Sequence, residues 1–156
     1  PERFDWKLIG KKEIIIPANN YDFVFQTKVE DMLGPKFLDP NVIRWEKRRV
    51  WVIDSTLKEG SRHLYSRRTF YLDEDTWVAG IGEMYDGRNN LWRTQYNYTV
   101  NLYDQESGFG SAYGAYDLLQ NIYNLNGKPI PGKYRVGVKQ TDKYFTPKGM
   151  ARGGIR

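Results

Sequence analysis

A mainly β fold, a curved antiparallel meander with few short helices, is what this sequence predicts, on three observations. Twelve tyrosines and five tryptophans stand against five alanines, a balance that suits pleated, half-buried surfaces better than helices. Four apolar runs between residues 49 and 103 are separated only by short turn-forming links, Lys58-Glu59-Gly60-Ser61, Asp73-Glu74-Asp75 and Asp86-Gly87-Arg88-Asn89-Asn90. Links that short join antiparallel neighbours. The last run, 91–103, alternates cleanly, with Trp92, Thr94, Tyr96, Tyr98, Val100 and Leu102 on one side and Arg93, Gln95, Asn97, Thr99 and Asn101 on the other. At about 3.3 Å per residue it would span roughly 43 Å, and a strand that long twists and curls.

The elements follow in order. Residues 6–25 read as two short extended pieces, WKLIG and KKEIII, broken by Pro17 and the turn-prone Asn19 and Asn20. Residues 31–41 hold Gly34, Pro35 and Pro40 and read as loop; within them Asp39 and Pro40 have the order of an N-cap and a first helical residue, starting one turn that leads to Trp45. Strands are expected over 49–57, 64–72, 76–86 and 91–103. GFGSAYGAY, 108–116, is a bulged bend or a loop, and 116–125 is a further strand candidate with poor alternation. NGKPIPG forms a turn, 134–140 a last strand, and Thr146 a cap before Pro147.

The totals bound the function classes. A chain of 156 residues is the size of one domain with one core. Its 40% hydrophobic and 28% charged content is that of a globular protein. No apolar run reaches the roughly 20 residues of a spanning helix, and PERFDWKLIG lacks the order of a secretory signal. A net charge of +5 permits an acidic partner without requiring one. With no cysteine, disulfides, thiolate catalysis and sulfur-ligated metals are excluded.

Chemical motifs are sparse. His63 is the lone histidine, so a histidine metal cluster is excluded, and its place beside Arg62 at a strand start reads as surface. Asp73, Glu74 and Asp75 read as a solvated hairpin tip, because a calcium loop needs spaced oxygens and an internal glycine. No phosphate-binding glycine motif, nucleophile elbow or HExxH is present. Arg67 and Arg68 are adjacent on a strand and must face opposite sides, which scatters basic charge and argues against nucleic acid. A membrane barrel is disfavoured because only one strand has the required alternation. No catalytic residue, metal site or cofactor is expected. What remains is a sheltered aromatic face, assigned to Trp51, Trp77, Tyr85, Trp92, Tyr96 and Tyr98. Such rings are either plain core or, where a curved sheet leaves part of the face open, the lining of a cavity for an apolar ligand.

RVWVIDSTLKEGSRHLYSRRTFYLDEDTW, with YDGRNNLWR after it, WKLIGKKEIIIPANNY before it and YFTPKGMARGGIR at the end, resembles the bacterial domain-of-unknown-function family thirteen twenty-nine, described as outer-membrane lipoprotein-sorting-like proteins. The resemblance covers nearly the whole chain. Family members are much longer, so it implies that 1–156 is a single domain or the C-terminal portion of a larger half-barrel domain. It also implies an incomplete antiparallel barrel like the lipoprotein localisation factors, curled over helices around a hydrophobic cavity, on the periplasmic side of a Gram-negative envelope. Its implied neighbourhood contains resistance-nodulation-division exporters and outer-membrane proteins. No catalytic residues come with it. The resulting expectation is non-enzymatic binding or transfer of a lipid or other hydrophobic molecule. One alternative is an interaction module that docks a transport partner by a sheet edge or basic surface. The other is an enzyme, which would need His63 or the Asp73 to Asp75 group to converge in a pocket.

Overall fold

Residues 2–103, 106–127 and 137–153 are described by the computed structural model of the protein. Seven antiparallel strands lie in sequence order in one sheet: β1 (Phe4–Pro17), β2 (Trp45–Leu57), β3 (Arg67–Asp73), β4 (Ala79–Tyr85), β5 (Leu91–Leu102), β6 (Ser107–Asp117) and β7 (Ile122–Asn126). Among the described residues β1 and β7 do not pair with each other, so the sheet is an unclosed meander.

Register decides which side chains meet. Val52 lies opposite Tyr71, Tyr71 opposite Ile81, Ile81 opposite Tyr96, Tyr96 opposite Gly114 and Gly114 opposite Leu125, one row on one face across six strands. The neighbouring row, Ile53, Phe70, Gly82, Gln95, Ala115 and Asn124, belongs to the other face. Register shifts interrupt the ladders at Leu8/Gly10, Tyr71/Leu72, Met84/Tyr85 and Tyr98/Thr99, and each bulge bends and twists the sheet.

The bending brings the end of β1 over the first face. Ile16 lies above Gly80 of β4, where a Cβ would sit 3.0 Å from its Cδ1. Just beyond β1, the Asn20 N–H donates to the Thr99 carbonyl of β5 at 2.8 Å, and the Asn101 side chain donates to Asn19. This face is therefore concave. The connection from β1 to β2 fills part of it with a π-helical turn, Asp22–Gln26, a single α turn, α1 (Val29–Met32), and a 3-10 turn, Pro40–Val42. Phe23, Val24, Met32, Leu38 and Ile43 of this plug are buried against Tyr98, Val100 and Ala112. Polar ties hold it down: the Tyr123 hydroxyl donates to the Gly34 carbonyl at 2.7 Å, and the Leu38 N–H donates to the Tyr116 hydroxyl at 3.4 Å. Ile16, Val50 and Val52 form a second buried group beside it, with Ile14, Tyr71 and Ile81 packed around them.

The meander, its links and the turn at Pro40 follow the sequence expectation; the Asp39 carboxylate accepts from the Asn41 N–H at 2.9 Å. The Thr146 hydroxyl likewise accepts from the Gly149 N–H at 3.1 Å at the start of α2 (Pro147–Gly153). Several boundaries differ. WKLIG and KKEIII are one 14-residue strand that passes through a bulge at Gly10, whose φ of +136° only glycine adopts readily. The glycine-rich 108–116 is not a loop but most of β6, and it carries the extra residue of the bulge opposite Tyr98 and Thr99, between Gly110 and Ala112. The single strand expected over 116–125 is instead the end of β6, a turn at 118–121 and β7. Of the turn and strand expected over 126–132 and 134–140, residues 128–136 lie outside the described residues, and 137–140 are a bend and irregular chain rather than strand.

Of the Asp73 to Asp75 group only Asp75 is at a solvated tip, as expected; Asp73 and Glu74 are not. Asp73 is 2% exposed, ion-paired with Arg48 at 3.1 Å, and accepts from the Asp75 N–H at 3.0 Å. Glu74 is bonded to Arg49 and Lys11. Arg48 and Arg49 of β2 thus reach across to the β3–β4 turn and tie it down.

Candidate functional site

Beyond the plug, the concave face continues over β2 to β5 as a half-buried floor of Tyr71, Ile81, Glu83, Tyr85, Thr94 and Tyr96. Its apolar part, Tyr71, Ile81 and Tyr96, joins the two buried groups. Its polar part is a closed network. The Asp54 carboxylate accepts from Arg67 Nε at 2.9 Å and from the Thr69 hydroxyl at 2.7 Å. The Glu83 carboxylate accepts from the hydroxyls of Tyr71 at 3.1 Å and Tyr85 at 2.9 Å. The Arg67 guanidinium lies 4.9 Å from the Tyr85 ring centre, which links the two halves.

Electrostatics follow from this packing. Burial, then the adjacent Glu83 carboxylate, pushes the Tyr71 phenol up to about 12. Burial and the Glu83 hydrogen bond raise Tyr85 as well. Arg67 is raised by its bond to Asp54. Tyr98, under the plug, is raised well above the ordinary phenol range by burial and then by Tyr116. The Tyr71 and Tyr85 phenols are thus held in the protonated form that donates to Glu83, and Arg67 in the charged form that donates to Asp54, a preorganised polar end to this face.

The six residues expected to form one aromatic wall divide into three groups. Tyr96 and Tyr98 lie on the concave face; Tyr98, 1% exposed, packs on Phe23 with ring centres 4.6 Å apart, while Tyr96 meets Trp45 and Tyr116 edge-on. Tyr85 belongs to the polar end of the same face. The other three do not join them. Trp51 is on the outer face, opposite Lys11 and Leu72, with the Lys11 ammonium 4.3 Å from its ring centre. Trp77 stands in the β3–β4 turn at φ +59°, 67% exposed. Trp92, at the start of β5, donates from Nε1 to Asp117 at 3.0 Å and packs against Tyr65 and Arg93.

Sequence reasoning missed Asp54, Arg67, Tyr71 and Glu83. The available signal was two acids and an arginine on successive strands, at positions that become neighbours only once the register is known. His63 and the Asp73 to Asp75 group do not converge: His63 lies against Phe4 and Tyr65, and Asp73 against Arg48. Among the described residues no group of three or more metal-binding side chains converges either, and no helix is long and apolar enough to cross a membrane.

This arrangement has known relatives. The family model "Protein of unknown function (DUF1329)" matches residues 1–151. An uncharacterized protein of Pseudomonas aeruginosa is 36% identical over 159 residues, a match that covers 100% of this chain and 35% of that protein. The chain thus spans about a third of the length of the curated relative it matches. Among solved structures, a "putative outer membrane lipoprotein-sorting protein domain" from Vibrio parahaemolyticus superposes with a TM-score of 0.50 at 13% identity, over 89% of this chain and 45% of that one. A DUF1329 family protein from Desulfovibrio piger gives 0.46 at 16% identity, over 94% and 47%. At such low identity the Vibrio match speaks for the fold alone, an open antiparallel sheet with few short helices. The match along residues 1–151 and the full-length likeness to the Pseudomonas protein place this chain in the DUF1329 family.

Proposed function

We propose that the uncovered part of the concave face binds a lipid or other hydrophobic molecule in the Gram-negative envelope, without catalysis, as one step in its transfer. The observation that carries this reading is the two-part floor. Tyr71, Ile81 and Tyr96 offer ring and aliphatic surface continuous with the core, while Arg67, Asp54, Glu83 and Tyr85 form a fixed polar end on the same face. An amphiphile has that division. Its tail would gain about 25 cal/mol for each Å² removed from water, and its polar end would meet groups already oriented. The revised lining is therefore Tyr71, Ile81, Tyr85 and Tyr96, without Trp51, Trp77 or Trp92. The Vibrio structure's printed description, a lipoprotein-sorting domain at the outer membrane, supports an envelope role and a periplasmic setting.

The direct test is mass spectrometry of lipids that co-purify with the intact protein, paired with displacement of an apolar fluorescent probe. Co-purified lipid and a displaceable probe are expected. An empty extract and no probe binding would remove this reading.

A second reading has one observation of its own. β1 is a long edge strand carrying exposed Leu8, Ile9 and Ile15, and its outer edge has no strand partner among the described residues. Such an edge accepts a further strand, from the remainder of a longer parent chain or from a transport partner such as a resistance-nodulation-division exporter or an outer-membrane protein. Loss of partner capture on Ile9→Lys, with probe binding intact, would favour it.

A further inference from the structure

The outer face carries an arginine that the fold leaves without an acid. Five arginines lie within strands, and four of them are paired: Arg48 with Asp73, Arg49 with Glu74, Arg67 with Asp54 and Arg93 with Asp117. Arg68 is not. Its guanidinium lies over the Phe4 ring at 3.9 Å and within 5.3 Å and 5.7 Å of the Trp6 and Phe70 ring centres. Its Nε is buried with no hydrogen-bond partner, and among the described residues no carboxylate pairs with it. Burial lowers its pKa, opposed only by Tyr65. Arg68 is half-buried, and a guanidinium whose Nε is shut off from water without a partner is costly in an empty site and useful where a ligand accepts from it.

The surroundings supply further donors. Arg68 lines an open cleft of about 450 Å³ together with Glu2, Arg3, Phe4 and His63. The His63 Nδ1 accepts from the Tyr65 N–H at 3.0 Å, so the ring proton of the neutral imidazole sits on Nε2, which no hydrogen bond engages among the described residues. Arg3 spends one donor on the Arg62 carbonyl at 3.2 Å and keeps the rest. Two arginines thus face one carboxylate, Glu2. On the same face, Trp6 and Leu8 are 45% and 60% exposed.

We propose that this cleft is a phosphate site, with Arg68, Arg3 and His63 as donors to the oxygens and Phe4 and Trp6 as the wall against which the apolar body of a phosphate-bearing molecule lies. Donors from three side chains suit a tetrahedral phosphate better than a planar carboxylate, which a single arginine fork satisfies. The proposal is independent of the concave-face reading, since the cleft is on the opposite side of the sheet.

The test is co-sedimentation of the intact protein with phosphatidylcholine vesicles containing about one third phosphatidylglycerol, with and without inorganic phosphate as competitor. Arg68→Gln and Arg3→Gln are compared with Arg88→Gln, which removes the same charge from the exposed β4–β5 turn. We expect Arg68→Gln to weaken vesicle binding at least tenfold and Arg3→Gln about threefold, with Arg88→Gln near the unmodified protein and probe displacement unchanged in all three. Competition by millimolar phosphate identifies free phosphate as a sufficient ligand; binding that resists it but still depends on Arg68 identifies the lipid headgroup. If Arg68→Gln loses its fold, the exposed Arg3→Gln decides. Equal losses for Arg3→Gln and Arg88→Gln would reduce the effect to general charge and overturn the proposal.

Discussion

Replacing Phe23 with alanine tests whether the β1–β2 connection is a packed plug rather than a loose cover. Phe23 is 1% exposed, sits in a π-helical turn with no side-chain cap to stabilise it, and packs on Tyr98, itself 1% exposed. Its loss leaves a hole lined by Val24, Met32, Leu38 and Ile43, which are held in place by the sheet on one side and by the Gly34–Tyr123 and Leu38–Tyr116 bonds on the other. A site so constrained cannot collapse, and Phe→Ala in a rigid core costs about 3–5 kcal/mol. For a domain of this size that lowers Tm by roughly 10 °C. Urea unfolding followed by tryptophan fluorescence gives the quantity directly: the midpoint should fall with the slope unchanged. A loss below about 1 kcal/mol would mean that the connection does not fill the concave face, and the floor would then be larger than described.

Three further outcomes follow from the same geometry. Tyr96→Ala removes one wall of the uncovered floor; with about 60 Å² of ring contact at 25 cal/mol per Å², probe affinity should drop roughly tenfold, whereas Trp51→Ala and Trp77→Ala should leave it unchanged by fluorescence titration. Asp73→Ala takes from the partly buried Arg48 guanidinium its one buried acid, leaving Asp75 and Glu46, and removes the acceptor for Asp75 N–H; a loss of about 1–3 kcal/mol is expected by urea unfolding, with a smaller effect for the more exposed Arg49–Glu74 pair on Glu74→Ala. Tyr71 titrates at about 12 when folded, above the ordinary phenol value of about 10, so its contribution is complete below pH 10 and disappears as pH rises toward 12. Unfolding monitored across that window should show a smaller loss of stability in Tyr71→Phe than in the unmodified protein.

How much of this was legible depended on local pattern. β5 was readable because its two faces differ in chemistry, and Tyr96 and Tyr98 were placed correctly for that reason. Trp51 was misplaced because Val50, Trp51, Val52 and Ile53 are all apolar, so the run has no visible phase; burial of Val50 and Val52 fixes it, and Trp51 falls on the outer face. β1 looked like two pieces because the bulge at Gly10 shifts its alternation midway. β6 was hidden by glycines that weaken strand propensity, yet Gly114 is needed there: a Cβ would lie 2.6 Å from the Asn124 carbonyl oxygen of β7. The Asp54, Arg67 and Glu83 network was invisible for a different reason, since its members are 13 to 29 residues apart and only register brings them together.

Photo-crosslinking of the intact protein with a diazirine-bearing fatty acyl probe, mapped by peptide mass spectrometry, addresses the binding face most directly. Adducts concentrated on Tyr71, Ile81, Tyr85 and Tyr96, and competed away by unlabelled lipid, are the expected result. Adducts confined to Trp51, Trp77 and the β1 edge, or none that lipid competes, would contradict the concave-face account.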